Sequence, residues 1–176
     1  MKQNEKQNNC CCFTGHRPEK LDYSEGEIKI LLEKAIDDAI ADGYVKFITG
    51  MAPGTDIWAA EIIIEKKRHN KSLQLICAVP HPGFEKRRSK YEAERYRNII
   101  ENADCVQTVC SHYFRACYQR RNEFMADRSN LVIAVWNGSM SGTKNCVNYA
   151  ERKGITVINV LGRTKTFTQN KKSAAK

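Results

Sequence analysis

Leu131-Val132-Ile133-Ala134-Val135-Trp136-Asn137-Gly138-Ser139-Met140-Ser141-Gly142-Thr143 reads as a strand, a polar loop and a helix start. The apolar run Leu131–Trp136 is unbroken, so neither face of this strand is reserved for water. That pattern belongs to a parallel sheet with helices on both faces. Downstream, Gly142–Lys153 reads as a helix and Ile155–Val160 as another strand, which completes a strand–helix–strand unit.

The same alternation runs upstream. Cys10–Phe13 is a short apolar run ending at Gly15, and its consecutive cysteines stand on alternate faces if it is a strand. Ile28, Leu31, Leu32, Ala35, Ile36, Ala39 and Ile40 follow helical spacing, with Gly43 where a C-cap belongs. Val45–Thr49 is the second strand, followed by a helix from Thr55 to His69. Leu73–Val79 is the third strand, closed by Pro80 and Pro82, and Glu85–Asn102 is predicted as one long helix. Cys105–Val109 is the fourth strand and Tyr118–Arg128 the next helix. Six strands alternating with helices predict a single Rossmann-like, doubly wound α/β domain with a mostly parallel sheet over residues 10–161. A flexible N-terminus (1–9) and a basic tail (162–176) flank it.

A chain of 176 residues, 41% hydrophobic and 28% charged, can bury a core without staples. No apolar run approaches a membrane span, and Met1–Asn9 lacks the apolar stretch of a signal peptide, so a cytoplasmic protein with no membrane partner is expected. The net charge of +9 is unevenly spread. The first nine residues carry +1 and the tail from Gly162 carries +5, leaving +3 on the body. A basic tail is weak evidence for nucleic acid, since solvated ends are often basic. The eight cysteines include no C-x-x-C pair. Cys105, Cys110, His112 and Cys117 are the one zinc alternative, but zinc ligands come as tight pairs, so reduced thiols and no metal are expected.

In doubly wound sheets, ligands bind outside the carboxyl ends of the strands. There stand Thr14-Gly15-His16-Arg17-Pro18, Gly50-Met51-Ala52-Pro53-Gly54-Thr55-Asp56, Pro80-His81-Pro82-Gly83 and Asn137–Thr143. Two of these loops run through Gly-Thr into a helix, where free N–H groups and the helix dipole favour an anion and glycine lets a phosphate approach the backbone. Thr14, Gly15, His16, Arg17, Gly50, Gly54, Thr55, Asp56, Arg121, Asn122, Gly138, Ser141, Gly142 and Thr143 are therefore the candidate ligand-binding residues. Neither a P-loop nor the G-x-G-x-x-G fingerprint is present, which argues against ATP hydrolysis and ordinary NAD chemistry; no cofactor is implied. Asp56 and Glu61 are candidate catalytic carboxylates beside Arg121. They lie about 140° apart round a helix, so both cannot squarely face one ligand. Helix-start stabilisation for Asp56 and a solvated face for Glu61 are the plainer readings. His16 and His81 are loop histidines, and Trp136 either stacks on a base or packs in the core.

Cys11-Cys12-Phe13-Thr14-Gly15-His16-Arg17-Pro18-Glu19-Lys20-Leu21, followed by Gly50–Asp56 and Trp58-Ala59-Ala60-Glu61, resembles the YpsA-like branch of the SLOG superfamily. Cys117–Asn122, Met125, Asp127-Arg128-Ser129 and Ser141-Gly142-Thr143 continue the likeness, which spans Cys10 to Val160. The superfamily also holds the Lonely Guy cytokinin-activating phosphoribohydrolases and the DNA-processing protein DprA. The resemblance implies a Rossmann-like fold that binds nucleotides, nucleotide-derived ligands or, as in DprA, single-stranded DNA. Lonely Guy enzymes place an Arg-Lys pair before a Gly-Gly-x-Gly-Thr-x-x-Glu loop, whose glutamate serves ribosyl-bond cleavage with the arginine. Here Arg121-Asn122 matches the pair, and Cys146 stands where the glutamate would be. A thiol neither stabilises an oxocarbenium-like centre nor activates water as a carboxylate does. The expected function is thus a binding domain for a nucleotide-derived small molecule. An N-glycosidic hydrolase acting on a nucleoside phosphate or ADP-ribose-type substrate, and single-stranded DNA binding, are the alternatives; a homodimer is compatible with the sequence.

Overall fold

The computed structural model describes residues 9–162. Apart from Asn9 and Gly162, the expected flexible N-terminus and basic tail lie outside the described residues. Among the described residues six strands alternate with five helices: β1 (Cys10–Gly15), α1 (Glu25–Ala41), β2 (Lys46–Thr49), α2 (Thr55–His69), β3 (Gln74–Val79), α3 (Lys90–Asn102), β4 (Cys105–Thr108), α4 (Cys117–Ala126), β5 (Leu131–Val135), α5 (Gly142–Arg152) and β6 (Thr156–Asn159). Every strand pair is parallel, in the order β4-β3-β2-β1-β5-β6. The chain walks from β1 out to β4, then crosses back to place β5 on the other side of β1. The order therefore reverses between β1 and β5, where this architecture opens a crevice at the strands' carboxyl ends.

The period of two divides the core. Cys11 and Phe13, with Phe47, Leu75, Ile133 and Val135, pack under α1, α2 and α3. Cys10 and Cys12, with Ile48, Ala78 and Val132, pack on Met125 of α4 and Ala150 of α5. The three consecutive cysteines do stand on alternate faces, all free and buried. At the other edge of the sheet all four residues of β4 are exposed, so the helical cover stops short of it. No described helix is long and apolar enough to cross a membrane. Among the described residues no group of His, Cys, Asp or Glu is placed to hold a metal ion.

The long helix predicted over Glu85–Asn102 is two elements, a 3-10 turn at Phe84–Arg87 and α3. Ser89 divides them. Its hydroxyl accepts from the Glu92 N–H at 3.3 Å while its own N–H donates to the Glu92 carboxylate at 3.0 Å. This capping box starts a helix rather than continuing one. Ser24 and Glu27 do the same for α1, which begins three residues before the first apolar position of its pattern.

Candidate functional site

A cavity of about 240 Å³ opens at the β1/β5 crevice. The end of β1 supplies Thr14 and Gly15, and the loop beyond it supplies His16, Arg17 and Lys20. The first turn of α5 supplies Gly142 and Thr143 beside its N-cap, Ser141. Arg121 and Asn122 enter from α4, and Asp56 from α2. Strand register explains the meeting: Gly15 pairs with Val135, and the His16 N–H donates to the Val135 carbonyl at 3.0 Å, so both loops leave the sheet at one level.

The two glycine loops differ. At α5 the Ser141 hydroxyl caps the Lys144 N–H at 3.2 Å. The N–H groups of Gly142 and Thr143 belong to the first turn and have no acceptor within the helix. Among the described residues a β-carbon built on Gly142 would meet nothing within 4 Å, so this helix end is open. At α2 the start is filled by protein. Gly54 is the N-cap at φ +89°, and a β-carbon there would sit 2.8 Å from Pro18 Cδ. Thr55 is buried against Gly15. Gly50, Gly54 and Thr55 shape the site without lining the cavity. Gly138, at φ +93°, turns the loop in which Asn137 Oδ1 accepts from the Ser139 N–H. Trp136 braces the same loop by donating its indole N–H to the Ser139 carbonyl at 2.8 Å.

Arg121 is seated rather than free. Its Nη1 donates to the Gly50 carbonyl and its Nε to Asn122 Oδ1 at 3.0 Å, with Asp56 Oδ2 at 3.8 Å from Nη1. Gly50 is needed for this seat, since a β-carbon there would lie 2.2 Å from Nη1. Asp56 Oδ2 accepts from the Ala52 N–H at 3.1 Å. Burial pushes the Asp56 carboxyl up, and Arg121 with the Ala52 N–H offsets this only in part. The side chains of Arg17 and Lys20 make no hydrogen bond or ion pair among the described residues, which leaves them available to an anion. Burial holds His16 below its ordinary range, so it is neutral at pH 7, with Nε2 3.4 Å from the Ser139 hydroxyl. Cys146 is fully buried, and burial pushes its thiol up to about 11.

The structure does not bring Glu61 to this cavity. Glu61 faces α1 and α3, where Arg95 grips it in a fork (Nε to Oε1 at 2.6 Å, Nη2 to Oε2 at 2.7 Å) and Lys29 adds a contact at 2.9 Å. Burial alone would raise this carboxyl, but the hydrogen bonds from Arg95 and Lys29 outweigh it and hold it below 4.5. A carboxylate lowered on folding adds stability above its unfolded value and loses it as pH falls through the folded one. Glu61→Gln is expected to cost about 1–2 kcal/mol at pH 7 and leave ligand affinity unchanged. In melts of the two proteins, the gap between them narrows as pH drops below 4.5.

Sequence reasoning missed three features here. Met51, buried, holds φ +61°, a left-handed conformation that side chains other than glycine rarely adopt, and its carbonyl accepts from Arg88 Nη2. Lys20, three residues past Arg17, lines the cavity as a cation that neither glycine-loop nor helix-start pattern marks. A second, larger cavity adjoins the first and shares Arg17 and Tyr118 with it.

Residues 11–158 match the sequence model of the YspA SLOG family. The chain belongs to this family. It is 32% identical over 142 residues to the uncharacterized SPbeta prophage-derived protein YoqJ of Bacillus subtilis, covering 72% of this chain and 81% of that one. It is 25% identical over 151 residues to a UPF0398 protein of Bacillus pumilus, covering 78% and 81%. Among solved structures, DprA from Streptococcus pneumoniae superposes with a TM-score of 0.61 at 17% identity, covering 84% of this chain and 48% of DprA. DprA from Helicobacter pylori, whose structure describes single-stranded DNA binding by that protein, gives 0.57 at 17% identity, covering 84% and 63%. The SLOG chain thus spans about half of one DprA and under two thirds of the other, and these likenesses establish the Rossmann-like fold.

Proposed function

We propose that this SLOG domain captures a nucleotide or nucleotide-derived ligand by its phosphate in the β1/β5 cleft. The observation that carries the reading is the open first turn of α5, which meets two uncommitted cations, Arg17 and Lys20, in one cavity at the switch point. Backbone N–H groups and the helix dipole supply a fixed positive end, and the glycine admits a phosphate to contact distance. Thr14 and Ser141 offer hydroxyls beside it, and Asp56 offers a carboxylate for a sugar hydroxyl. Calorimetric titration with AMP and ribose 5-phosphate tests this. Saturable binding that weakens with added phosphate is the expected result, and no heat from either ligand would sink it.

Capture without turnover is the expected chemistry. At pH 7 the Cys146 thiol is protonated and buried, and Asp56 is engaged with the Ala52 N–H and Arg121. No free base should therefore be released above background from purine or pyrimidine nucleoside monophosphates, followed by chromatography. Base release that falls on the order of a hundredfold or more in Asp56→Asn would establish the hydrolase reading instead.

Single-stranded DNA is a second reading, favoured by the DprA-like fold. It requires oligonucleotide affinity that declines steeply with salt.

A further inference from the structure

The second cavity, of about 710 Å³, lies between the β3–α3 loop and the segment entering α4. The first, at about 240 Å³, is smaller than the roughly 300–1,000 Å³ of ordinary small-ligand pockets, whereas the second falls within that range. They differ in kind as well as size. The first offers backbone donors and hydroxyls with the cations Arg17 and Lys20 and a carboxylate, Asp56. The second offers rings and cations.

Tyr113 and Tyr118 rim the second cavity with 62% and 40% of their surface exposed, large aromatic areas left to water. They pack edge-to-face with each other at 6.2 Å and around His81, whose ring centre lies 5.2 Å from that of Tyr113 and 6.0 Å from that of Tyr118. Exposed rings of this kind give a planar base a stacking surface. Arg17, Lys86 and Arg87 line the same space, all exposed, and among the described residues no carboxylate lines it. A cavity with cations, rings and no acid matches a phosphorylated aromatic ligand, since a neutral aromatic would have no use for the charge.

His81 adds a polar requirement. It is 9% exposed, and its Nδ1 lies 2.9 Å from the Pro82 carbonyl, which can only accept. In the neutral ring Nδ1 therefore carries the hydrogen and Nε2 is a bare acceptor. That Nε2 is buried without a partner among the described residues, a cost that a ligand N–H or O–H would relieve. Nucleobase amino groups and sugar hydroxyls are such donors.

Resting on the phosphate-capture reading of the first cleft, the geometry points to a two-unit ligand: a nucleotide in the second cavity, joined through its phosphate to a sugar phosphate in the first. Arg17, common to both cavities, sits where the linking phosphates would pass. The linked partner is either a bare sugar, as in ADP-ribose, or a second nucleoside, as in the dinucleotide pApA.

Calorimetry on the full chain with ribose 5-phosphate, AMP, ADP-ribose and pApA tests this and separates the two sources. ADP-ribose or pApA should bind at least about tenfold more tightly than AMP or ribose 5-phosphate, the gain of filling both cavities at once. Tyr113→Ala and the pair Lys86→Ala with Arg87→Ala alter exposed side chains outside the first cleft. Each should remove most of that gain and leave ribose 5-phosphate affinity unchanged. The inference is overturned if neither two-unit ligand surpasses AMP, or if the gain survives in both variants. In that event, continued binding of ribose 5-phosphate shows that the first-cleft reading still stands. Failure of all four ligands to bind overturns both.

Discussion

Gly142→Val is expected to leave the protein folded and to weaken nucleotide binding at least a hundredfold. Gly142 is the first residue of α5, with a backbone any residue adopts, and a β-carbon there enters open space. The melting temperature should therefore stay within a few degrees. That open space is the proposed phosphate position. An isopropyl group would hold a phosphate away from the Gly142 and Thr143 N–H groups. Each hydrogen bond to a charged group is worth about 1.5–3 kcal/mol, so two of them amount to a hundredfold or more. Unchanged affinity in a folded variant would remove this loop from the site.

Gly15→Ala should do the reverse, damaging the fold first. The new methyl would lie 2.1 Å from Thr55 Oγ1 and 2.5 Å from Thr55 Cβ, and Thr55 is buried at the first turn of α2 with no room to retreat. Overpacking at such a point costs about 3 kcal/mol, or roughly 6–12 °C in Tm for a chain of this size. Thr55→Ala in the same protein should not restore stability, because the Thr55 Cβ is itself within the clash. A Gly15→Ala protein that melts with the wild type would show that β1 and α2 do not approach as described.

These two glycines also mark how far the sequence could be read. One ends a strand and the other starts a helix, and from sequence both look like phosphate contacts. Only Gly142 keeps its space open; the space at Gly15 is taken by Thr55, forty residues on. Strand and helix order was legible because burial imposes a period, visible in the unbroken Leu131–Trp136 run and the alternating Cys10–Cys12. The break at Ser89 was legible too, in the Ser-x-x-Glu of Ser89 and Glu92, but the charged pattern around it looks helical throughout. Glu61 was misleading for a different reason. Its partner Arg95 lies on another helix, and ion pairs across helices leave no mark in local spacing. The same applies to the Arg121 seat on Gly50 and to the second cavity, which joins His81, Tyr113 and Arg17 from three separate loops.

Amide NMR of the uniformly ¹⁵N-labelled protein, titrated with AMP, reads the capturing groups one by one. The largest shifts are expected on the Gly142 and Thr143 amides, with a smaller group at Thr14–Arg17, all saturating together. Saturable binding that leaves the first turn of α5 unmoved, with its shifts gathered elsewhere, would contradict it.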